Sequence, residues 1–349
     1  MERKRELNYM NAIACLFVIL IHVLSLGISS AERSSWQAAV IYFPWRLSAF
    51  VVPMFLYTGA VKMARQFMDR EVTMKDYVQY FLHRIQKIYI PYVLWTVLYY
   101  VSFMKINFVH GNLKEFLSYL LIGNLASPFY YIIIIMQFYF LMPLWIWMIK
   151  HLSAYLAIGI SLLITVCMQQ SSYILSLFGL TFAYTDRIFP TYIIFWTVGL
   201  YVGKYYESIV PTFTGKLGRI IGGVVIVLCA GLAYVQYTGH ALELYMADVK
   251  MVADLLSIMF VHSVSLQLTY APNGVQNVLQ KLYESSFFVY LSHCLFLTLG
   301  TYYLQLFGVG KLTVLLAARF IICYTVPFAL YGVYSRICTG LNIRQRVLG

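Results

Sequence analysis

The segment Glu6-Leu-Asn-Tyr-Met-Asn-Ala-Ile-Ala-Cys-Leu-Phe-Val-Ile-Leu-Ile-His22 decides how the chain is read. A basic N-terminus, Arg3-Lys4-Arg5, runs directly into an apolar helix that carries a histidine near its far end. Between Ala12 and Ile21 the only ionisable side chain is Cys15. An ionisable group inside a membrane helix is costly, so His22 points to function by default. No small-residue cleavage site follows and further apolar spans do, so the segment is a membrane helix and not a signal peptide.

Working outward, the composition agrees. The chain has 349 residues, 61% hydrophobic and only 11% charged. A soluble domain carries roughly 25% charged residues, so the solvent here is lipid. The net charge of +12 does not indicate nucleic acid, because the positive residues follow membrane topology. The six cysteines show neither CxxC nor His/Cys metal spacing, so neither disulfides nor a metal is indicated.

Hydropathy predicts an all-α polytopic membrane protein, one domain over 1–349, with ten spans: 7–27, 40–61, 88–108, 129–149, 152–170, 188–203, 220–238, 250–270, 286–306 and 312–334. With the N-terminus inside, seventeen of the 25 Lys and Arg fall on inner segments and six on outer ones. The inner set includes Arg3, Arg344 and Arg346. That bias predicts N-in and C-in. Segment 113–125 is too short and polar to span, and is expected to lie at the outer interface or re-enter. The 31 tyrosines exceed what two interfacial belts need, so some are expected to line a polar interior. No internal repeat of the transporter kind is present.

Nine residues are candidates for chemistry. His22 lies roughly 8 Å below the outer end of its span, and Arg46 enters the next span to roughly 9 Å, so the two can face one cavity. The bland alternatives are a packed neutral histidine and a snorkelling arginine. In the basic stretch 62–87, Arg84 and Lys87 stand three apart just before a span. Such a pair suits a phosphate-rich ligand, or simply anchors the inner interface. His293 and Arg319 sit inside spans and have the same two readings. Gln137 is a lone polar group that either glues helices or bonds substrate. Glu6 and Asn11 mark the inner end of the first helix. Gly199-xxx-Gly203 has the spacing of a helix-packing motif.

These positions resemble the integral-membrane acyltransferase 3 family, whose members acetylate or succinylate extracytoplasmic glycans. The likeness rests on the first span ending in His22, Thr58-Gly59, Arg84-xx-Lys87 before Ile90-Pro91-Tyr92, the run around Gln137, and Phe288-Val-Tyr-Leu-Ser-His293, in the expected order. Ile135-Met-Gln137-Phe, Gln169-Gln170-Ser and Phe287-Phe-Val-Tyr look most like the branch that accompanies poly-N-acetylglucosamine (intercellular adhesin). The resemblance implies a transmembrane O-acyltransferase with His22 as general base and acyl-CoA held at Arg84 and Lys87. Acetyl-CoA or succinyl-CoA would be the co-substrate. Its expected partners are membrane lipid and an extracytoplasmic polysaccharide or lipid-linked sugar, without nucleic acid; a homo-oligomer is compatible. The expected location is the bacterial plasma membrane.

Two departures stand out. The second of the family's paired arginines is Lys87, and the arginine usual eleven residues before the histidine is Asn11. Asn can hydrogen-bond but supplies no charge. Glu6, sixteen residues before His22, is the candidate for a compensating role at the inner end. The competing class is a polysaccharide or small-molecule exporter, since intramembrane His and Arg also suit a proton-coupled carrier.

Overall fold

The computed structural model describes residues 4–213, 215–239 and 246–340. Arg3, Arg344 and Arg346 of the topology argument lie outside the described residues. All regular elements among those described are helical. The chain divides into two compact units. Unit 1 takes the chain up to Arg70, Trp145–Thr185 and Pro190–Glu284; unit 2 takes Glu71–Leu144, Asp186–Phe189 and the chain from Ser285 onward.

Unit 1 begins with α1 (Arg5–Ser30), α2 (Trp36–Leu47) and α3 (Val51–Phe67). Ser35 caps α2 by accepting from the Ala38 N–H. Pro44 lies inside α2, and the Ser48 hydroxyl bonds its carbonyl at the break before α3. Counted together, α2 and α3 form one apolar stretch, Trp36–Phe67. In unit 2 the chain continues as α4 (Met74–Arg84), capped reciprocally by Thr73 and Asp76. A π turn follows over Ile85–Tyr89, then α5 (Ile90–Lys105). Pro91 has no N–H for a ladder bond at the start of α5, and the Ile90 N–H reaches five residues back to Ile85 O.

Unit 2 also contains α6 (Leu113–Ile122) and α7 (Tyr130–Phe140). Gly123, at φ 70°, ends α6 in the left-handed conformation that glycine adopts without strain. From Ser127 on, a short turn leads into α7, and the pair bends by 56°, as expected of a re-entering or broken segment. Next come α8 (Met142–His151), which passes from unit 2 into unit 1, then α9 (Ala154–Gln169) and α10 (Ser171–Leu177). Unit 1 closes with α11 (Ile193–Lys204), α12 (Tyr206–Ile209), α13 (Gly215–Thr238) and α14 (Met246–Leu268). The long α15 (Asn273–Leu306) re-enters unit 2, which ends with α16 (Leu312–Gly340).

Six helices among the described residues are long and apolar enough to cross a membrane, and the bent pair adds a seventh. They match the expected spans 7–27, 40–61, 220–238, 250–270, 286–306 and 312–334. The other four fall on shorter or interrupted helices. Span 88–108 follows the π turn, 129–149 breaks at Leu141 ahead of Pro143, 152–170 is the 16-residue α9, and 188–203 is the 12-residue α11 behind a 3-10 turn. The basic stretch 62–87, which lies between the expected spans 40–61 and 88–108, is helical up to Phe67, as the end of α3, and again over Met74–Arg84.

Close packing of α11 on α3 organises unit 1. A Cβ at Gly199 would lie 2.6 Å from Tyr57 O, and one at Gly203 would lie 2.8 Å from Val61 O. The Gly-xxx-Gly spacing is therefore packing, as the sequence suggested. Unit 2 is centred on edge-to-face rings: Tyr92 on Phe129 at 5.2 Å, Tyr99 on Phe129 at 4.9 Å and Trp95 on Phe288 at 5.3 Å. The tyrosines also have a role that composition did not reveal. Their hydroxyls tie off backbone carbonyls: Tyr92 to Leu120, Tyr100 to Asn112 and Tyr201 to Leu152. In lipid such carbonyls have no water to turn to.

Candidate functional site

In unit 1, Glu6 is only 5% exposed in the first turn of α1. Its carboxylate accepts the Tyr206 hydroxyl at 2.6 Å. Tyr206 Oη lies 3.3 Å from His262 Nε2, and Tyr57 Oη lies 2.9 Å from His262 Nδ1. A hydroxyl has one proton to donate. Tyr206 gives its proton to Glu6, so it receives from Nε2–H, and Tyr57 donates to Nδ1. Every donor in the chain points toward the carboxylate. Arg65 and Lys4 stand over the Tyr206 ring at 4.5 and 5.4 Å, and both pair with Glu207. Those two hydrogen bonds hold the Glu207 carboxyl below its ordinary value. A cleft of about 430 Å³ opens beside Lys4, Glu6, Tyr206, Gln267 and Tyr270.

Higher on α1, Asn11 accepts the Thr58 hydroxyl at 2.8 Å. One turn below, Asn8 accepts from Lys62 Nζ at 3.4 Å, and Lys62 also stands 5.3 Å over the Tyr283 ring. A cation from α3 thus lies one turn from Asn11. His22 is half-buried toward the end of α1, where its carbonyl takes the Ser25 hydroxyl. Arg46 donates Nε to Gln236 at 2.9 Å and stacks on Trp45. Close to it lies the buried Asp254, which pairs with Lys250 at 2.6 Å. Sequence reading passed over His262 and Asp254, although both sit in span 250–270. The signal was available, because each is an ionisable residue in an apolar helix, as His22 is.

In unit 2, the Arg84 guanidinium lies 4.7 Å from the rings of both Tyr80 and Tyr139. Its Nη2 bonds the Tyr80 hydroxyl at 3.2 Å. Its Nε is buried and has no hydrogen-bond partner among the described residues. Lys87 lies within the π turn, so the α-helical spacing assumed for the pair does not apply. Gln137 clamps the backbone: Nε2 donates to Arg187 O at 2.8 Å and Oε1 accepts the Phe189 N–H at 3.0 Å. It also borders a mostly apolar cleft of about 460 Å³ with Tyr89, Leu121, Ile133, Phe140 and Phe189.

His293 is fully buried in α15. Its Nδ1 lies 3.0 Å from Val289 O, and a carbonyl only accepts, so Nδ1 carries the proton and Nε2 is the basic nitrogen. Nε2 is 3.4 Å from Cys294 Sγ. Arg319 donates to the Thr301 hydroxyl at 2.9 Å, joining α16 to α15.

No curated protein and no solved structure matches the chain. The sequence profile of one family, described as acyltransferase domain, matches residues 4–334. That stretch runs from the basic N-terminus through α1 with His22 and the Arg84 cage to His293 and Arg319, almost the whole molecule. The chain therefore belongs to the acyltransferase 3 family of multi-pass membrane acyltransferases.

Proposed function

We propose that the protein transfers an acetyl or succinyl group from cytosolic acyl-CoA to a hydroxyl of an extracytoplasmic glycan. The observation that carries this reading is the buried Arg84 Nε, a donor without an acceptor among the described residues, in a guanidinium that two tyrosine rings hold in place. A fixed planar cation with an open donor suits a phosphate. Lys87 adds a second charge for the nucleotide end of CoA. The apolar cleft beside Phe140 suits the pantetheine arm, which carries no charge. His22 takes the proton of the sugar hydroxyl as its oxygen attacks the thioester carbonyl. The new C–O bond replaces the C–S bond, and the proton passes to the departing thiolate, giving ester and CoA thiol. Arg46 would stabilise the oxyanion. Lys62, one turn from Asn11, supplies the charge that Asn11 lacks. The acceptor would be an exopolysaccharide or lipid-linked precursor, with poly-N-acetylglucosamine as first choice, at a bacterial plasma membrane crossed ten times with both termini inside.

Purified protein in lipid vesicles, given radiolabelled acetyl-CoA or succinyl-CoA and poly-N-acetylglucosamine oligomers, tests the reading. Label should reach the glycan in an alkali-labile ester, and His22→Ala should lower the rate about 10²–10⁴-fold, the range of general-base catalysis. Glycan moved across sealed vesicles without any acyl donor, and with no CoA released, would replace the enzyme reading by the exporter.

A further inference from the structure

Unit 1 holds a pair of cations that acyl transfer does not use. Lys4, just ahead of α1, and Arg65, in the last turn of α3, stand over the buried Tyr206 ring at 5.4 and 4.5 Å. Their side chains are only 20% and 15% exposed. Both reach the same oxygen, Oε1 of Glu207, at 3.2 and 3.1 Å, although Glu207 is itself 74% exposed. The cations are thus fixed by the protein, while the carboxylate between them stands in water. An ion pair with so exposed a member is weak and exchangeable. An oxygen shared by two cations is also the place a phosphate oxygen would take, since both are charged acceptors of the same donors.

Lys4 and Glu207 border the cleft of about 430 Å³ together with Glu6, Gln267 and Tyr270. Glu6 would repel a bare phosphate but accepts hydrogen bonds. A carboxylate has about four acceptor sites, and Tyr206 fills one of those on Glu6. A ligand of this cleft therefore carries a donor beside its phosphate. Glu6 lies at the hydroxyl end of the Tyr206 ring and the cations over its face, so one ring's width separates the two halves of the site. Asp69 and Lys204 line a second cleft that Glu207 also borders, and their charges cancel.

One wall is tied to α1. Gln276 accepts from Arg5 and Tyr9 at 3.1 and 3.3 Å and donates to Thr269 O and Ala271 O at 3.0 and 2.8 Å, on either side of Tyr270. At this cleft α1 begins and α14 ends, and both helices are long and apolar enough to cross a membrane. The ends of such helices lie at head-group level, where basic pockets take phospholipid heads.

We propose that this cleft binds a phospholipid head group: its phosphate replaces the Glu207 carboxylate between Lys4 and Arg65, and a hydroxyl or ammonium of the head donates to Glu6. The site is independent of acyl transfer. A soluble phosphate ester with such a donor has the same chemistry, and the test separates the two sources.

Native mass spectrometry of the full chain in detergent, titrated with single lipids, reads binding without turnover. Phosphatidylethanolamine and phosphatidylglycerol, whose heads carry N–H or O–H donors, should bind saturably. Phosphatidylcholine has the phosphate without the donor and should bind about tenfold more weakly. Lys4→Gln and Arg65→Gln should each weaken phosphatidylglycerol binding about tenfold, the effect of one charge-assisted bond. Glu207→Gln removes the competing carboxylate and should tighten binding about threefold. Unchanged affinity in the cation variants, no tightening in Glu207→Gln, or phosphatidylcholine bound as well as phosphatidylethanolamine overturns the proposal. Glycerol phosphate should not displace the lipid; displacement would overturn the lipid as occupant in favour of a soluble ester. If Arg65→Gln does not fold, Lys4→Gln and Glu207→Gln decide, because their opposite signs are not produced by a general loss of structure.

Discussion

In unit 1 the buried Glu6 carboxylate receives Tyr206, which receives His262, which receives Tyr57, and the chain of donors has no gap. In unit 2 the Arg84 guanidinium is flanked by Tyr80 and Tyr139, yet its Nε has no acceptor among the described residues. Both arrangements bury charge, but they differ in what completes them. A closed network stabilises the fold, because each polar group recovers inside the protein the hydrogen bonds it lost from water. An open one retains the cost of desolvation until a ligand arrives. The difference separates an element of structure from a place for substrate without reference to charge alone.

The comparison breaks first at Arg84. Replacing it by leucine should weaken acyl-CoA binding about a hundredfold, near 2.8 kcal/mol at about 1.4 kcal/mol per tenfold. Isothermal titration would show this, and the melting temperature should fall only modestly, since the loss of the Nη2 bond to Tyr80 and of the two ring contacts is offset by removing a buried guanidinium whose Nε has no acceptor among the described residues. A large fall in stability instead would mean that the cage is structural. Tyr206→Phe should do the opposite. It strips a donor from Glu6 and an acceptor from His262, at a cost of about 1–3 kcal/mol seen in denaturant titration, with acyl-CoA affinity intact.

Gly203→Ala tests the frame that holds the closed network. Its Cβ would meet Val61 O and the Ala64 Cβ at 2.8 Å, so α3 and α11 must part. About 1–2 kcal/mol of stability should be lost, within the usual range for overpacking. The smallest effect belongs to Glu207. Its folded-state pKa is depressed by Lys4 and Arg65, so its contribution is present above the ordinary carboxylate pKa and is lost as pH falls through the lower folded value. Glu207 is largely exposed, so screening keeps the effect small. Thermal unfolding in the acid range should show a slightly weaker pH dependence in Glu207→Gln, and added salt should erase the difference.

Much of this was legible in the chain. The apolar run behind Glu6 to His22 gave a membrane helix, and six expected spans reappear as helices of adequate length. The order of motifs from His22 to His293 gave the family. Gly199 and Gly203 gave a helix contact. Less legible were the shorter helices. Hydropathy averages over a window, so it passes smoothly across the π turn at Ile85–Tyr89 and the break at Leu141. His262 escaped notice because nothing near it in sequence marks it; its partners are 56 and 205 residues away.

The sequence by itself determined the solvent, the helical class and the family, because burial in lipid demands long apolar runs with internally bonded backbone. It also marked where ionisable residues interrupt those runs. Only the tertiary structure decided what each of them meets. Gln137 turned out to hold backbone at both ends of its amide, Lys62 came to stand one turn from Asn11, and the Tyr99 hydroxyl of α5 bonds Leu291 O and the Leu295 N–H of α15. The reason is physical: helical periodicity fixes which face a side chain occupies, whereas its partner is set by how distant helices pack, and that is not encoded within any one span.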